Sequence, residues 1–442
     1  LLGGCKSQLL NTYDLPQDQN IQVYFNHRET DKKQYTDVYR QVKRTGDDLE
    51  TVIIKAIQKA ESSIDLAVQE IQLPGIALAL AEQSRKGVQV RVILENNYSA
   101  AVSDFNPGEI DDLPARERDR FNQSFQLIDI DADGVLSSQE IATRDALIIL
   151  RDADIPMIDD TFDGSKGSGL MHHKFMIIDN KIVVTGSSNF TLSDIHGDFN
   201  NLETRGNANH LLQINNEKLA DLFTEEFNYM WEDHLFGVAK PFRPPQSVTW
   251  DNTKVTVQFS PVSSKQDWSI TGNGLIGKTL DEADDSIDLA LFVFSEQNLA
   301  DILQEKEQAG VKIKALIDRE FIFRDYSEAL DMLGVAMKNN CQYEEDNNPW
   351  KNQISTVGTT NLVTGDKLHH KLAVIDKETV ITGSQNWSAA ANYNNDETVL
   401  IIENKTVAQH FQQEFDSLYQ NSSLGLSEKV ENKIQQQDEK CN

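Results

Sequence analysis

One short pattern occurs twice in this chain. His172-His173-Lys174 with Asp179, Gly186 and Ser187 recurs as His369-His370-Lys371 with Asp376, Gly383 and Ser384, both reading H-x-K-x4-D-x6-G-S. Repetition of this kind demands two like halves, and it constrains the fold more than any other feature of the sequence. The likeness extends beyond the pattern. Ser63-Ile64-Asp65-Leu66-Ala67 recurs as Ser286-Ile287-Asp288-Leu289-Ala290, and the run Gly87 to Leu94 recurs as Gly310 to Ile317, each a β-branched apolar stretch after glycine. Ile21 to Phe25 resembles Val255 to Phe259. After each pattern comes an apolar run, Leu211 to Ile214 or Val399 to Ile402. A helix follows with aromatics four residues apart, Phe223 with Phe227 and Phe411 with Phe415, which are expected in the core.

Each half therefore reads strand, helix, strand, helix, strand, the pattern as a hairpin, then strand and helix. That is an α/β layout with helices covering a mixed sheet. The halves are assigned to residues 19–240 and 251–425. Pro241, Pro244 and Pro245 mark a linker at 241–250, and the polar tail 426–442 is expected not to pack. Equivalent residues lie 223 apart at Ser63 and Ser286 but 197 apart at His172 and His369, so the first half carries about 26 extra residues.

That insertion, about 115–150, contains Asp129-Ile130-Asp131-Ala132-Asp133-Gly134-Val135-Leu136-Ser137-Ser138-Gln139-Glu140, which satisfies the EF-hand loop pattern. Asp129, Asp131 and Asp133 would offer carboxylates to Ca2+, Val135 its carbonyl, Ser137 a water-mediated contact and Glu140 a bidentate carboxylate. Phe121 and Phe125 sit at helical spacing before the loop. EF-hands usually pair and one is visible, so a structural ion is expected over a switch.

A net charge of −29, from 41 basic and 70 acidic residues, disfavours broad adhesion to nucleic acid or anionic lipid. No run of 18 apolar residues is present. Residues 1–18 begin Leu1-Leu2-Gly3-Gly4-Cys5, which resembles a bacterial lipobox; lipidation of Cys5 would tether an exported protein to the cell envelope. Export would let Cys341 and Cys441 form a disulfide, whereas a cytosolic home would leave them as thiols.

In a strand, His172 and Lys174 project to one face, as do His369 and Lys371, so a nucleophile and a cation converge. His173 and His370 point the other way and are expected to be structural. Asp179 and Asp376 open turns, and both an anchoring and a catalytic role suit them. Gly186 and Gly383 permit close approach, and the Ser187 and Ser384 hydroxyls are expected to reach phosphate. A zinc site fits poorly, because adjacent histidines on a strand diverge and the lysines repel a cation.

The duplicated pattern resembles the phospholipase D superfamily over nearly the whole chain apart from the insertion and the ends. The resemblance implies two fused repeats with one active site at their pseudo-twofold interface, in a monomer that acts as an internal pseudo-dimer. It implies one motif histidine as nucleophile, forming a phosphohistidine, and the other as general acid, with no metal required for the chemistry. Lys174 and Lys371 would stabilise the nonbridging oxygens, helped by Asn189 and Asn386. An acidic residue before the next strand would orient a histidine. Glu397 fits in the second half, with Asn209 at the equivalent first-half position and Glu203 nearby. Glu397 is assigned to His369 on this reasoning, making His369 the acid and His172 the nucleophile. The implied substrate is a phosphodiester, with phospholipid favoured over nucleic acid; a phosphatidyl transferase and an inactive phosphate-binding scaffold are the remaining readings.

Overall fold

The computed structural model describes residues 14–29, 33–162, 164 and 169–441. Cys5 lies outside this range. Two sheets carry the fold. In the first the strand order is Ile21–Phe25, His210–Asn215, Ile182–Gly186, Lys174–Ile178, Ser63–Val68, Gln89–Leu94, Met157–Asp159. The second repeats that order as Thr253–Ser260, Asn395–Glu403, Thr379–Gly383, Lys371–Ile375, Ser286–Leu291, Lys312–Ile317, Val357–Thr360. Ser63–Val68, Gln89–Leu94 and Met157–Asp159 pair in parallel, while the pairings from Ile21–Phe25 through Lys174–Ile178 to Ser63–Val68 are antiparallel, so the sheet is mixed.

Each sheet is covered on both faces, which explains why its central strands read as continuous apolar runs. Helices Leu49–Ile57 and Pro74–Arg85 cover the outside of the first, and Gly272–Asp281 and Gln297–Gln308 cover the second. Between the sheets lie the helices Glu217–Trp231 and Lys405–Gln420, whose Phe223, Phe227, Phe411 and Phe415 are fully buried in one core shared by both halves. Truncating any of these four would cost about 3–5 kcal/mol.

The halves are also joined by backbone. The short strand Leu170–Met171 leads into the first motif and pairs in parallel with Asn395–Glu403 of the second half, with Asp396 opposite Met171. Its counterpart is a parallel bridge between Ala208 and Leu368.

Three expectations need correction. Residues 246–250 of the expected linker form the strand Gln246–Trp250, paired with Thr253–Ser260, because Val248 buries its side chain against the shared core. The tail packs as the helix Glu428–Cys441, with Val430 set against Leu330 and Met337 and with Cys441 bonded to Cys341. Glu203 is exposed and cannot serve a buried histidine.

The insertion forms the helices Ala115–Ile128 and Ser138–Arg144 around the acidic loop. Among the described residues no helix is long and apolar enough to cross a membrane.

Candidate active site

The two motif strands start where the halves meet. The backbone N–H of His172 donates to Asp396 O at 3.0 Å, and that of His369 donates to Ala208 O at 3.1 Å, so each histidine is hung on the opposite half. Strand alternation then turns Lys174 to the side of His172 and Lys371 to the side of His369. Each lysine folds back on its own motif, Lys174 Nζ donating to His172 O at 3.1 Å and Lys371 Nζ to His369 O at 2.8 Å. All four side chains are buried.

Burial is the main force on their protonation. It pushes both histidines well below their ordinary value, and the fields of both lysines push the same way on each. Burial also brings Lys174 down to about 8 and Lys371 well below its usual range. The lysines sit in unlike surroundings. The amide oxygen of Gln69 is 3.4 Å from Lys174 Nζ, whereas Lys371 lies over the Phe292 ring, 5.1 Å from its centroid.

The histidine partners are crossed with respect to the sequence expectation. His172 Nδ1 lies 2.8 Å from the carboxylate of Glu397, and His369 Nδ1 lies 3.0 Å from Asn209 Oδ1. Glu397 therefore serves the first-half histidine and not His369. The physical reason is the backbone pairing above, which lays each motif against the end of the other half's strand. Since Asn209 Oδ1 can only accept, His369 carries a proton on Nδ1. Burial lifts Glu397 to about 7, against the pull of Lys174 and the Ser384 hydrogen bond.

Two further assignments change. Ser187 Oγ donates to Asn209 Oδ1 at 2.7 Å and Ser384 Oγ to Glu397 Oε2 at 2.6 Å, and both hydroxyls are buried. These serines orient the residues that orient the histidines, in place of the expected contact with phosphate. The glycines before them are dictated by close approach, because a Cβ on Gly186 or Gly383 would stand 2.1 Å from the carbonyl oxygen of His210 or Thr398.

Asp179 and Asp376 are not catalytic. They sit at the far ends of the motif strands, in left-handed turns. There Asp179 accepts from the backbone N–H groups of Glu61, Ser62 and Ser63, and Asp376 from those of Asp284, Asp285 and Ser286. Each ties its hairpin to the start of the neighbouring strand.

Asn189 and Asn386 follow the serines and are half-buried, each with an amide oxygen that has no hydrogen-bond partner among the described residues. His173 bonds Thr398 Oγ1 at 2.9 Å and Glu226 Oε1 at 3.1 Å, and His370 Nδ1 lies 3.1 Å from His210 Nδ1, so both are structural as expected.

Sequence reasoning missed Asp194. This buried carboxylate lies 3.8 Å from His369 Nδ1, and the second half has Ala391 at the matching position, so the repeat gave no signal for it.

In the insertion, the carboxylates of Asp129, Asp131 and Asp133 converge, with one ligand atom from each within 4.8 Å of the others. Asp129 Oδ1 is buried without a partner. Glu140 accepts from Ile130 N at 2.8 Å and, as a capping box, from Ser137 N at 2.9 Å, contacts that hold it down at about 2.

The family described as "Cardiolipin synthase, PLD-like domain" matches residues 53–231 and 276–419. The mitochondrial cardiolipin hydrolase of Homo sapiens is 31% identical over 135 residues, covering 30% of this chain and 46% of that protein. A phospholipase D of Rickettsia typhi is 28% identical over 149 residues, 34% of this chain and 63% of that protein. The chain spans about half the length of the curated relatives it matches. Phosphatidylserine synthase of Haemophilus influenzae Rd KW20 shares the fold with a TM-score of 0.56 and 12% identity, over 96% of this chain and 94% of that one. With both motif strands, both histidines and both lysines meeting at one interface, and the family's domain matched once in each half, the chain belongs to the phospholipase D-like family.

Proposed function

We propose that this protein is a phospholipase D-type phosphodiesterase that hydrolyses a phospholipid through a covalent phosphohistidine. The observation that carries this reading is the convergence of His172, Lys174, His369 and Lys371 across the two halves. His172 Nε2 attacks phosphorus, the bond to the leaving alcohol breaks, and His369 gives that oxygen its proton. Water then attacks the phosphohistidine with His369 as base, breaking the N–P bond and restoring both rings. Lys174 and Lys371 face the nonbridging oxygens, with the Asn189 and Asn386 amides available to them.

The crossed pairing supports His172 as nucleophile for a reason opposite to the one the sequence suggested. A phosphorylated ring that keeps its Nδ1 proton is a buried cation, and only a carboxylate such as Glu397 neutralises it. The general acid ends neutral and needs no such permanent partner.

Phospholipid is favoured by the names of the relatives, a cardiolipin hydrolase and a phospholipase D. Purified protein should be offered a phospholipid panel and plasmid DNA side by side, with His172→Ala as control, and the trapped intermediate read by mass spectrometry. Lipid cleavage with phosphate on His172 is expected. Cleavage of DNA alone, or phosphate on His369, would overturn the substrate or the role assignment respectively. Transfer to an alcohol in place of water is the second reading, favoured by the synthase in the family description, and added glycerol would reveal it as a new phospholipid product.

The acidic loop fits Ca2+, with three clustered carboxylates and the unpartnered Asp129 oxygen, and Asp129, Asp131, Asp133, Val135, Ser137 and Glu140 would hold it. The ion would brace the insertion without entering the reaction. Calorimetric titration with Ca2+ against Asp131→Ala tests this, and equal heats in both proteins would refute it. An exported, envelope-tethered protein remains our reading of its location, supported by the Cys341–Cys441 disulfide.

A further inference from the structure

The first half lacks a carboxylate where the second half has Glu397, yet a carboxylate stands on the same side of His369. Asp194 belongs to the short helix Leu192–Ile195, whose Leu192 and Ile195 are buried in the first half's outer core. Thr191 caps it by accepting from Asp194 N at 3.2 Å. The side chain is fixed by two hydrogen bonds and stands near His369. Oδ2 accepts from Asn189 N at 2.9 Å, Oδ1 accepts from Asn207 Nδ2 at 2.6 Å, and Oδ1 lies 3.8 Å from His369 Nδ1. The backbone oxygen of Asp194 accepts from Asn209 Nδ2 at 3.0 Å, which fixes the Asn209 amide with its oxygen toward the imidazole.

We propose that Asp194 is a positioning residue that supplies, through space, the negative charge for the imidazolium of His369, while Asn209 supplies the hydrogen bond. This rests on the phosphohistidine reading above. Glu397 performs both tasks for His172 with one side chain, and in the first half they are divided between Asp194 and Asn209.

The division has a chemical consequence. The groups facing His369 are Lys371, Lys174, His172 and His370, all of which oppose its protonation, and Phe292, whose ring packs 4.8 Å away. Asp194 opposes them. A carboxylate that is near but not directly hydrogen-bonded favours the cation while leaving its proton easier to surrender than a direct ion pair would. Asp194 also lies in the field of both lysines and of His172, so it offsets charge over the whole site.

The test is leaving-group dependence. Asp194→Asn removes the charge and keeps one acceptor oxygen, so one of the two bonds from Asn189 N and Asn207 Nδ2 is lost with it. Departure of an alkyl alcohol needs protonation, and departure of p-nitrophenolate does not. The variant should therefore slow phospholipid hydrolysis by about tenfold or more and hydrolysis of a p-nitrophenyl phosphodiester by less than about threefold. Its alkaline limb should move down by about one pH unit, because the protonated form of His369 is lost at lower pH. Adding Asn209→Asp, which returns a carboxylate to His369, should restore the limb and most of the lost rate. Equal slowing of both substrates with an unmoved limb would reduce Asp194 to a structural residue. Should Asp194→Asn unfold, Asn209→Asp alone must raise the alkaline limb, and an unmoved limb overturns the proposal. Failure of the underlying reading looks different, since the wild-type protein would then form no phosphohistidine with either substrate.

Discussion

Glu397 closes the ring of His172, 2.8 Å from its Nδ1, although the two residues belong to different halves of the chain. His369 meets an amide in the mirrored place, at Asn209. The architecture is symmetric and the electrostatics are not, and the proposed division into an attacking and a protonating histidine rests on this asymmetry.

Replacing Glu397 with Gln keeps the side chain's size and can keep an acceptor for Nδ1–H but removes the charge. Formation of the phosphoenzyme should slow by about 10²–10⁴-fold. Rapid-quench measurement of phosphohistidine in a single turnover checks this. A burst of wild-type rate would show that the carboxylate has no part in stabilising the intermediate.

Ser187→Ala and Ser384→Ala each remove the bond the hydroxyl donates to Asn209 or Glu397 and the one it accepts from the backbone N–H of His210 or Thr398, and should cost about 1–3 kcal/mol in urea denaturation. Inhibition by inorganic phosphate should be unchanged in Ser187→Ala, because that hydroxyl is engaged with Asn209. A severalfold weaker inhibition constant would return the serine to the phosphate.

Asp376→Ala strands three backbone N–H groups at the start of the strand Ser286–Leu291. Stability should fall by about 1–3 kcal/mol, while turnover by the folded fraction stays within about twofold of wild type. A variant of normal stability with abolished turnover would restore a catalytic role for this aspartate.

Glu226 predicts an acid limb of stability. Burial alone would raise its carboxyl, yet Lys240, His173 and Arg243 hold it down at about 2. A group whose folded value is depressed contributes stability that is present above its ordinary value near 4.5 and is lost as pH falls toward 2. Glu226→Gln should therefore be less stable at pH 7 and show a flatter decline between about pH 4.5 and 2. Urea midpoints across that range decide, and parallel curves for the two proteins would refute the assignment.

Much of this was legible in the sequence because period-two alternation needs no tertiary knowledge: it placed His172 with Lys174 and turned His173 away. The repeated strands were legible for the same reason, as apolar runs buried on both faces. Glu397 and Asn209 could be found by register, but their partners could not, since the choice of histidine depends on how the halves dock. Asp194 was invisible because its counterpart is Ala391. The tail helix was misread because its polar sequence packs through Val430 and a few neighbours and is held by a cross-link 100 residues away in sequence.

The backbone exchange at His172–Asp396 and His369–Ala208 bears on how such a chain can change over time. A substitution that disables the end of one half's strand silences the other half's histidine, so neither copy is a spare. The two copies nevertheless differ within the wiring itself, where Glu397 stands in one half and Asn209 in the other, each bonded to the opposite half's histidine.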